Sequence, residues 1–227
     1  HRRNASSDQR QKRAQSSATG GSMNIVNCQQ GTPEWLAARA GKVTASAISN
    51  VLMKPETAGF RDYQAQLVAE ILTGKPQGSD YTNAAMQFGT ENEPLARSAY
   101  EAETGFSVDQ VGMVVHPTID RSGASPDGLV GNSGLAEIKC PKVATHLAYL
   151  VAGVVPTGYK NQMNWQMACT GRDWCDFVSF RPDLPENLQL FIIRHRKDPA
   201  EILKLETAVI AFLVGVDQMI EKLKGVK

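Results

Sequence analysis

A chain of 227 residues that is 42% hydrophobic and 21% charged can build one domain with a sizeable buried core. Its formal net charge is only +1 and no apolar run approaches the ~18 residues of a membrane span, so neither a strongly basic field nor a membrane anchor explains it. Four scattered cysteines without a CxxC pair argue against a disulfide scaffold or a zinc site, and point to reduced thiols in a cytoplasmic protein.

The run 1–22 is rich in Ser, Arg, Gln and Gly, lacks apolar periodicity and precedes Met23; it reads as an expression leader, leaving 23–227 as a single domain. It holds five of the 24 basic and one of the 23 acidic residues, so the domain itself carries 19 basic and 22 acidic groups and is mildly acidic. Any grip on a polyanion must therefore come from a local patch. Thr32 followed by Pro33 and Glu34 predicts a helix with Trp35 and Arg39 on one face. Further helices are predicted over 44–53, 60–72 and 83–104, with a loop over 75–82. The period then changes: 106–116 reads as a first core strand, 124–130 and 135–139 as two more. Helices are expected over 142–151 and 159–170, strands over 174–180 and 188–194. Asp198, Pro199 and Glu201 start a last helix whose apolar residues Ile202, Leu205, Val209, Phe212, Val216, Met219 and Leu223 form one stripe. That stripe is expected to pack on the protein's own sheet, with a seam to another subunit as the alternative. The order predicts an α/β (α+β mixed) domain.

The chemistry concentrates in Ser125-Pro126-Asp127-Gly128 and, after Gly131 to Gly134 supply a turn, Glu137-Ile138-Lys139. Alternation along a strand puts Ser125 on the face of Asp127, and Glu137 on that of Lys139, while Ile138 points into the core. Two carboxylates without histidine or thiolate suit Mg²⁺, with Mn²⁺ a substitute, better than zinc. Such an ion serves phosphodiester hydrolysis, and Lys139, protonated beside two carboxylates, can position water or neutralise charge on phosphorus. An exposed hairpin with solvated Glu137 and Lys139 is the competing reading.

Three blocks resemble the PD-(D/E)XK nuclease superfamily, and within it the lambda-type phage recombination exonucleases, or YqaJ-like viral recombinases. They are Trp35-Leu36-Ala37-Ala38-Arg39 through Lys42-Val43-Thr44-Ala45-Ser46 with Lys54-Pro55; Phe88-Gly89-Thr90-Glu91-Asn92-Glu93 with Arg97; and the Ser125 to Pro141 segment with Gln162 downstream. The resemblance implies a restriction-endonuclease-like core, a central mixed sheet flanked by helices with the active site at one edge. It implies a metal held by Asp127, Glu137 and the Ile138 backbone carbonyl, with Lys139 catalytic and Glu93 either a further ligand or a plain ion pair with Arg97. It assigns Arg39, Ser46, Ser125 and Gln162 to the 5′-phosphate of the substrate strand, for which a guanidinium fork, hydroxyls and an amide are suited. Trp35, Lys42 and Lys54 are candidate DNA contacts, although Trp35 can equally form a stacking pair with Arg39. Pro117 stands where the family carries an acidic residue, which leaves one or two metals open, and His116 is either a substitute or a structural residue.

The function so implied is a 5′-to-3′ exonuclease acting on linear double-stranded DNA with a 5′-phosphate. It would release 5′-mononucleotides and leave a 3′ overhang for a single-strand annealing protein, as a homotrimer ring in a phage or prophage recombination system. An endonuclease on the same fold and a non-catalytic end-binding protein are the alternatives.

Overall fold

The computed structural model describes residues 23–77 and 84–226, with side chains from 87 onward in the second stretch. The proposed leader 1–22 and the stretch 78–83 lie outside the described residues. A five-stranded mixed sheet has the order β3 (Val108–Asp109), β6 (Gly128–Val130), β7 (Gly134–Lys139), β8 (Trp174–Phe180), β9 (Leu190–Arg196). Only the β7–β8 pair is parallel. A smaller sheet runs β1 (Asn24–Val26), β4 (Met113–Val115), β5 (Ser122–Ala124), β2 (Val43–Thr44), with β2 and β5 parallel. Among the described residues seven helices complete the mixed α/β fold: α1 (Pro33–Arg39), α2 (Ile48–Val51), α3 (Ala58–Thr73), α4 (Ala84–Thr104), α5 (Val143–Ala152), α6 (Thr157–Thr170) and α7 (Pro199–Lys224).

The central strand β7 decides what faces what. Leu135 belongs to a core shared with Met163, Trp165 and Phe177, whereas Ala136 and Ile138 join Ala96, Tyr100, Val178 and Phe180. So α6 covers one face and α4 the other, and the period of two carries Glu137 and Lys139 to the α6 side. Both faces being covered, Leu135, Ala136 and Ile138 are almost fully buried. Gly128 and Gly134 sit where no side chain fits: a Cβ would lie 2.0 Å from Val108 Cγ1 or 2.1 Å from the Trp174 ring.

Several expectations are corrected. The strand over 106–116 is two, β3 and β4, in different sheets, and that over 124–130 is likewise β5 and β6. Within these two segments the chain thus crosses between sheets, at 110–112 and 125–127. The Gln30 amide fastens both crossings, donating to Val111 O at 2.8 Å and Pro126 O at 2.9 Å. The helix over 44–53 is replaced by β2, a 3₁₀ turn (Ala45–Ala47) and the short α2. There Thr44 N–H is taken by Tyr63 Oη at 3.3 Å rather than by a helical carbonyl. β1, only three residues long, is a strand that the pattern of the sequence does not predict. The stripe of α7 packs on helices rather than the sheet, because α4 and α6 already cover that. Phe212 meets Phe60 and Tyr63, with ring centroids 5.0 and 5.5 Å apart. The Asp198 cap is as expected, its carboxylate accepting from Ala200 and Glu201 N–H.

Candidate active site

The carboxylates, lysine and carbonyl expected to act together do meet, at the C-terminal end of β7. Being the middle strand, β7 places them inside the sheet rather than at its edge. The Lys139 ammonium contacts Glu137 Oε1, lies 3.7 Å from Asp127 Oδ2 and donates to Ile138 O at 3.1 Å. Three oxygens of the kind hard cations bind therefore converge on one nitrogen. Asp127 reaches this point because it lies on the crossing between sheets, where Ile138 N–H donates to its Oδ2 at 2.6 Å. Ser125, on the same crossing and outside any strand, does not share a sheet face with it; its hydroxyl accepts from Trp35 Nε1 at 2.9 Å.

Electrostatics follow from burial. Glu137 is fully buried, and both its oxygens accept from α6: Oε1 from Gln162 Nε2 at 2.6 Å, Oε2 from Gln166 Nε2 at 2.5 Å. Burial pushes the Asp127 carboxyl up to about 7, with Lys139 opposing and the charges of Glu137 and Glu93 adding to the rise. Burial alone would lower the Lys139 ammonium, but Glu137 and Asp127 more than offset this and hold its pKa above the usual lysine value. The site concentrates negative charge out of water around one ammonium, an arrangement a divalent cation fits. Among the described residues no three Asp, Glu, His or Cys side chains cluster as a metal site; the third oxygen gathered here is a backbone carbonyl.

A carboxyl whose folded pKa exceeds its unfolded value of about 4 binds extra protons in the native state between about pH 4 and 7. Stability in EDTA will therefore fall as pH rises through that window. Asp127→Asn will flatten the slope and raise stability at pH 8 by on the order of 2 kcal/mol, measurable by thermal unfolding.

Of the two readings offered for Glu93, the ion pair is the one present. Glu93 pairs with Arg97 at 3.0 Å, and it lines, with Thr90, Ile138, Lys139, Cys140 and Tyr159, a cleft of about 420 Å³ over the site. His116 does not substitute for the acidic residue that Pro117 lacks. It is buried against Trp165 with centroids 5.0 Å apart, its Nδ1 accepts from Thr118 N–H, and Nε2 faces Glu206 at 3.3 Å. The four cysteines are free; Cys169 and Cys175 are buried, and burial pushes the Cys140 thiol up to about 11, so it stays neutral.

The four residues assigned to a phosphate divide. Arg39 lies over the Trp35 ring at 4.1 Å and donates to Ser46 Oγ at 3.3 Å, while the same indole donates to Ser125. Arg39 and Ser125 thus meet on one tryptophan, and Ser46 joins them through Arg39. Gln162 sits apart from them, on Glu137. Lys42 lines a hollow of about 260 Å³ beside Arg39 and Ser46; Lys54 is exposed beyond α2. Nothing in the sequence singles out Gln166, because an amide carries no charge or periodic signature of a buried role.

The model of the YqaJ-like viral recombinase domain matches residues 34–173. The chain belongs to the YqaJ-like viral recombinase family. The alkaline exonuclease LHK-Exo from Laribacter hongkongensis is 50% identical; the match covers 85% of this chain and 96% of that one, with a TM-score of 0.80. One of its crystal structures is a complex with dAMP. A phage-related exonuclease from Haemophilus somnus 129PT, 17% identical over 80% of this chain and 96% of its own, shares the fold with a TM-score of 0.63. No curated protein sequence matches. In this YqaJ-like chain, no described helix is long and apolar enough to cross a membrane.

Proposed function

We propose that this protein is a Mg²⁺-dependent exonuclease that digests one strand of linear duplex DNA from its 5′ end and releases 5′-mononucleotides. The observation that carries the proposal is the convergence of Asp127, Glu137 and the Ile138 carbonyl on a single cationic nitrogen. Those three groups would hold the metal. Bound there, it supplies a Lewis acid for the scissile phosphate and lowers the pKa of water.

The chain's own residues do the rest. Gln162 and Gln166 leave Glu137 without torsional freedom, so its carboxylate needs little reorganisation during reaction. Lys139 stays protonated under the same two carboxylates and orients the attacking water or meets the charge developing on phosphorus. Glu93 lines the entrance, where a substrate backbone must pass. Arg39, Ser46 and Ser125, collected around Trp35, bind the terminal 5′-phosphate and set the register of cutting. Gln162 reaches that phosphate from the metal side. Support for the class of activity comes from the alkaline exonuclease that is 50% identical, and for the product from its complex with dAMP, a 5′-mononucleotide. The match to a viral recombinase domain supports a place in phage recombination; in this reading three subunits ring the duplex and the 3′ overhang passes to a single-strand annealing protein.

The test compares four substrates with Mg²⁺: linear duplex with 5′-phosphate, the same with 5′-hydroxyl, linear duplex blocked at both 5′ ends, and closed circular duplex. Nucleotide release will be fastest from the phosphorylated ends, on the order of 10²-fold faster than from hydroxyl ends. The blocked and circular forms will resist. Arg39→Ala will erase the preference. Nicking of the circle would establish an endonuclease instead, and equal rates for the two free ends would remove the role of Arg39, Ser46 and Ser125.

A further inference from the structure

The side chain of Gln166 has no charge and no access to solvent, yet both ends of its amide are committed. It is fully buried in the middle of α6. Its Nε2 donates to Glu137 Oε2 at 2.5 Å, and its Oε1 lies 3.7 Å from Cys175 Sγ, within reach of the thiol hydrogen. The orientation is forced: a carboxylate can only accept, so the NH₂ group must face Glu137 and the oxygen must face the thiol. Cys175 is itself fully buried on β8, opposite Leu135 of β7, and burial holds its thiol well above the ordinary cysteine pKa, as a donor. A relay Cys175–Gln166–Glu137 thus runs from β8 through α6 to the acidic end of β7. Gln162, one helical turn earlier, holds the other oxygen.

We infer that Gln166, with its amide fixed by Cys175, is a positioning residue that presets the Glu137 carboxylate for a divalent cation. Groups that hold a ligating carboxylate in place act on metal affinity, and losing one commonly weakens binding by about 10- to 100-fold. Gln162 alone cannot do this. It is only half-buried and fastens one oxygen, leaving the carboxylate free to swing about it. Gln166 fixes the second oxygen from below, where no solvent can replace it. This inference rests on the proposed metal role of Glu137 and adds to it a residue that touches neither metal nor DNA.

Mn²⁺ titration of the metal-free protein without DNA, followed by electron paramagnetic resonance, tests it. Gln166→Met keeps the length and bulk of the side chain and removes the donor. Mn²⁺ will bind about 10- to 100-fold more weakly to this variant, and the Mg²⁺ concentration for half-maximal nucleotide release will rise in step, while KM for DNA at saturating metal stays put. Cys175→Val will weaken binding by about threefold and Cys175→Ser, which keeps a donor, by less. Mn²⁺ affinity equal to wild type in a folded Gln166→Met protein overturns the inference while leaving the metal site intact. If that variant does not fold, wild-type affinity in Cys175→Val overturns it. A wild-type protein that binds no Mn²⁺ would remove the metal reading, and this inference with it.

Discussion

Lys139→Ala will slow nucleotide release by about three orders of magnitude while the protein still folds. The ammonium touches Glu137 and Ile138 O and stands 3.7 Å from Asp127 Oδ2. A preorganised group that meets developing charge contributes about 10²–10³ in rate, and one that handles a proton about 10²–10⁴. Folding survives because the Asp127 carboxyl, pushed up to about 7 even with Lys139 present, takes up a proton when the ammonium is gone. Lys139→Arg will not restore the rate, since a planar fork cannot occupy the place of a compact ammonium. Glu137→Gln will lose at least as much, because it removes a ligand charge and turns an acceptor into a donor opposite Gln162 or Gln166. Release of acid-soluble nucleotide, with circular dichroism to confirm folding, measures both. A Lys139→Ala rate within tenfold of wild type would take Lys139 out of the mechanism.

The largest effect on stability is expected from Asp176→Ala. Asp176 is 1% exposed on β8 and ties three elements: it accepts from Tyr100 Oη of α4 at 2.8 Å and from Arg194 Nε and Nη2 of β9, each at 2.8 Å. The Arg194 guanidinium in turn lies 3.5 Å from the centre of the Trp174 ring. Removing the carboxylate leaves a phenol and a guanidinium without their acceptor. Breaking such a buried pair costs 3–5 kcal/mol, and the partial exposure of Arg194 puts this one near the lower bound, about 3 kcal/mol. That corresponds to a fall in Tm of roughly 6–12 °C for a chain of this size. Calorimetry or a denaturant melt reads it directly. Asp176 pairs with Ala136 in the β7–β8 register and so faces away from Glu137, which pairs with Phe177. Nucleotide release per folded molecule will therefore hold at temperatures where the variant is folded. A loss below 1 kcal/mol would show that Tyr100 and Arg194 find water instead.

The sequence carried the site better than the topology, for a physical reason. Alternation is a local property, so the shared face of Glu137 and Lys139, the buried Ile138 and the turn before them could be read from ten consecutive letters. The cap of α7 was equally local. What escaped is non-local. An apolar run such as 106–116 looks the same whether it stays with one partner strand or leaves for another sheet. The crossings at 110–112 and 125–127 depend on Gln30, some 81 and 96 residues away. The same holds for Tyr100 and Asp176, which are 76 residues apart, and for Gln166 beneath Glu137. The packing of α7 on helices rather than the sheet follows from which faces remain uncovered once all the elements are assembled.

The most direct measurement is Mn²⁺ binding to the metal-free wild-type protein, to Asp127→Asn and to Glu137→Gln, with nucleotide release from a 5′-phosphorylated duplex recorded on the same samples. One tightly held ion in the wild type, at least tenfold weaker binding in each variant, and release abolished with it is the predicted result. Equal Mn²⁺ binding in all three, with release unimpaired in either variant, would contradict the account.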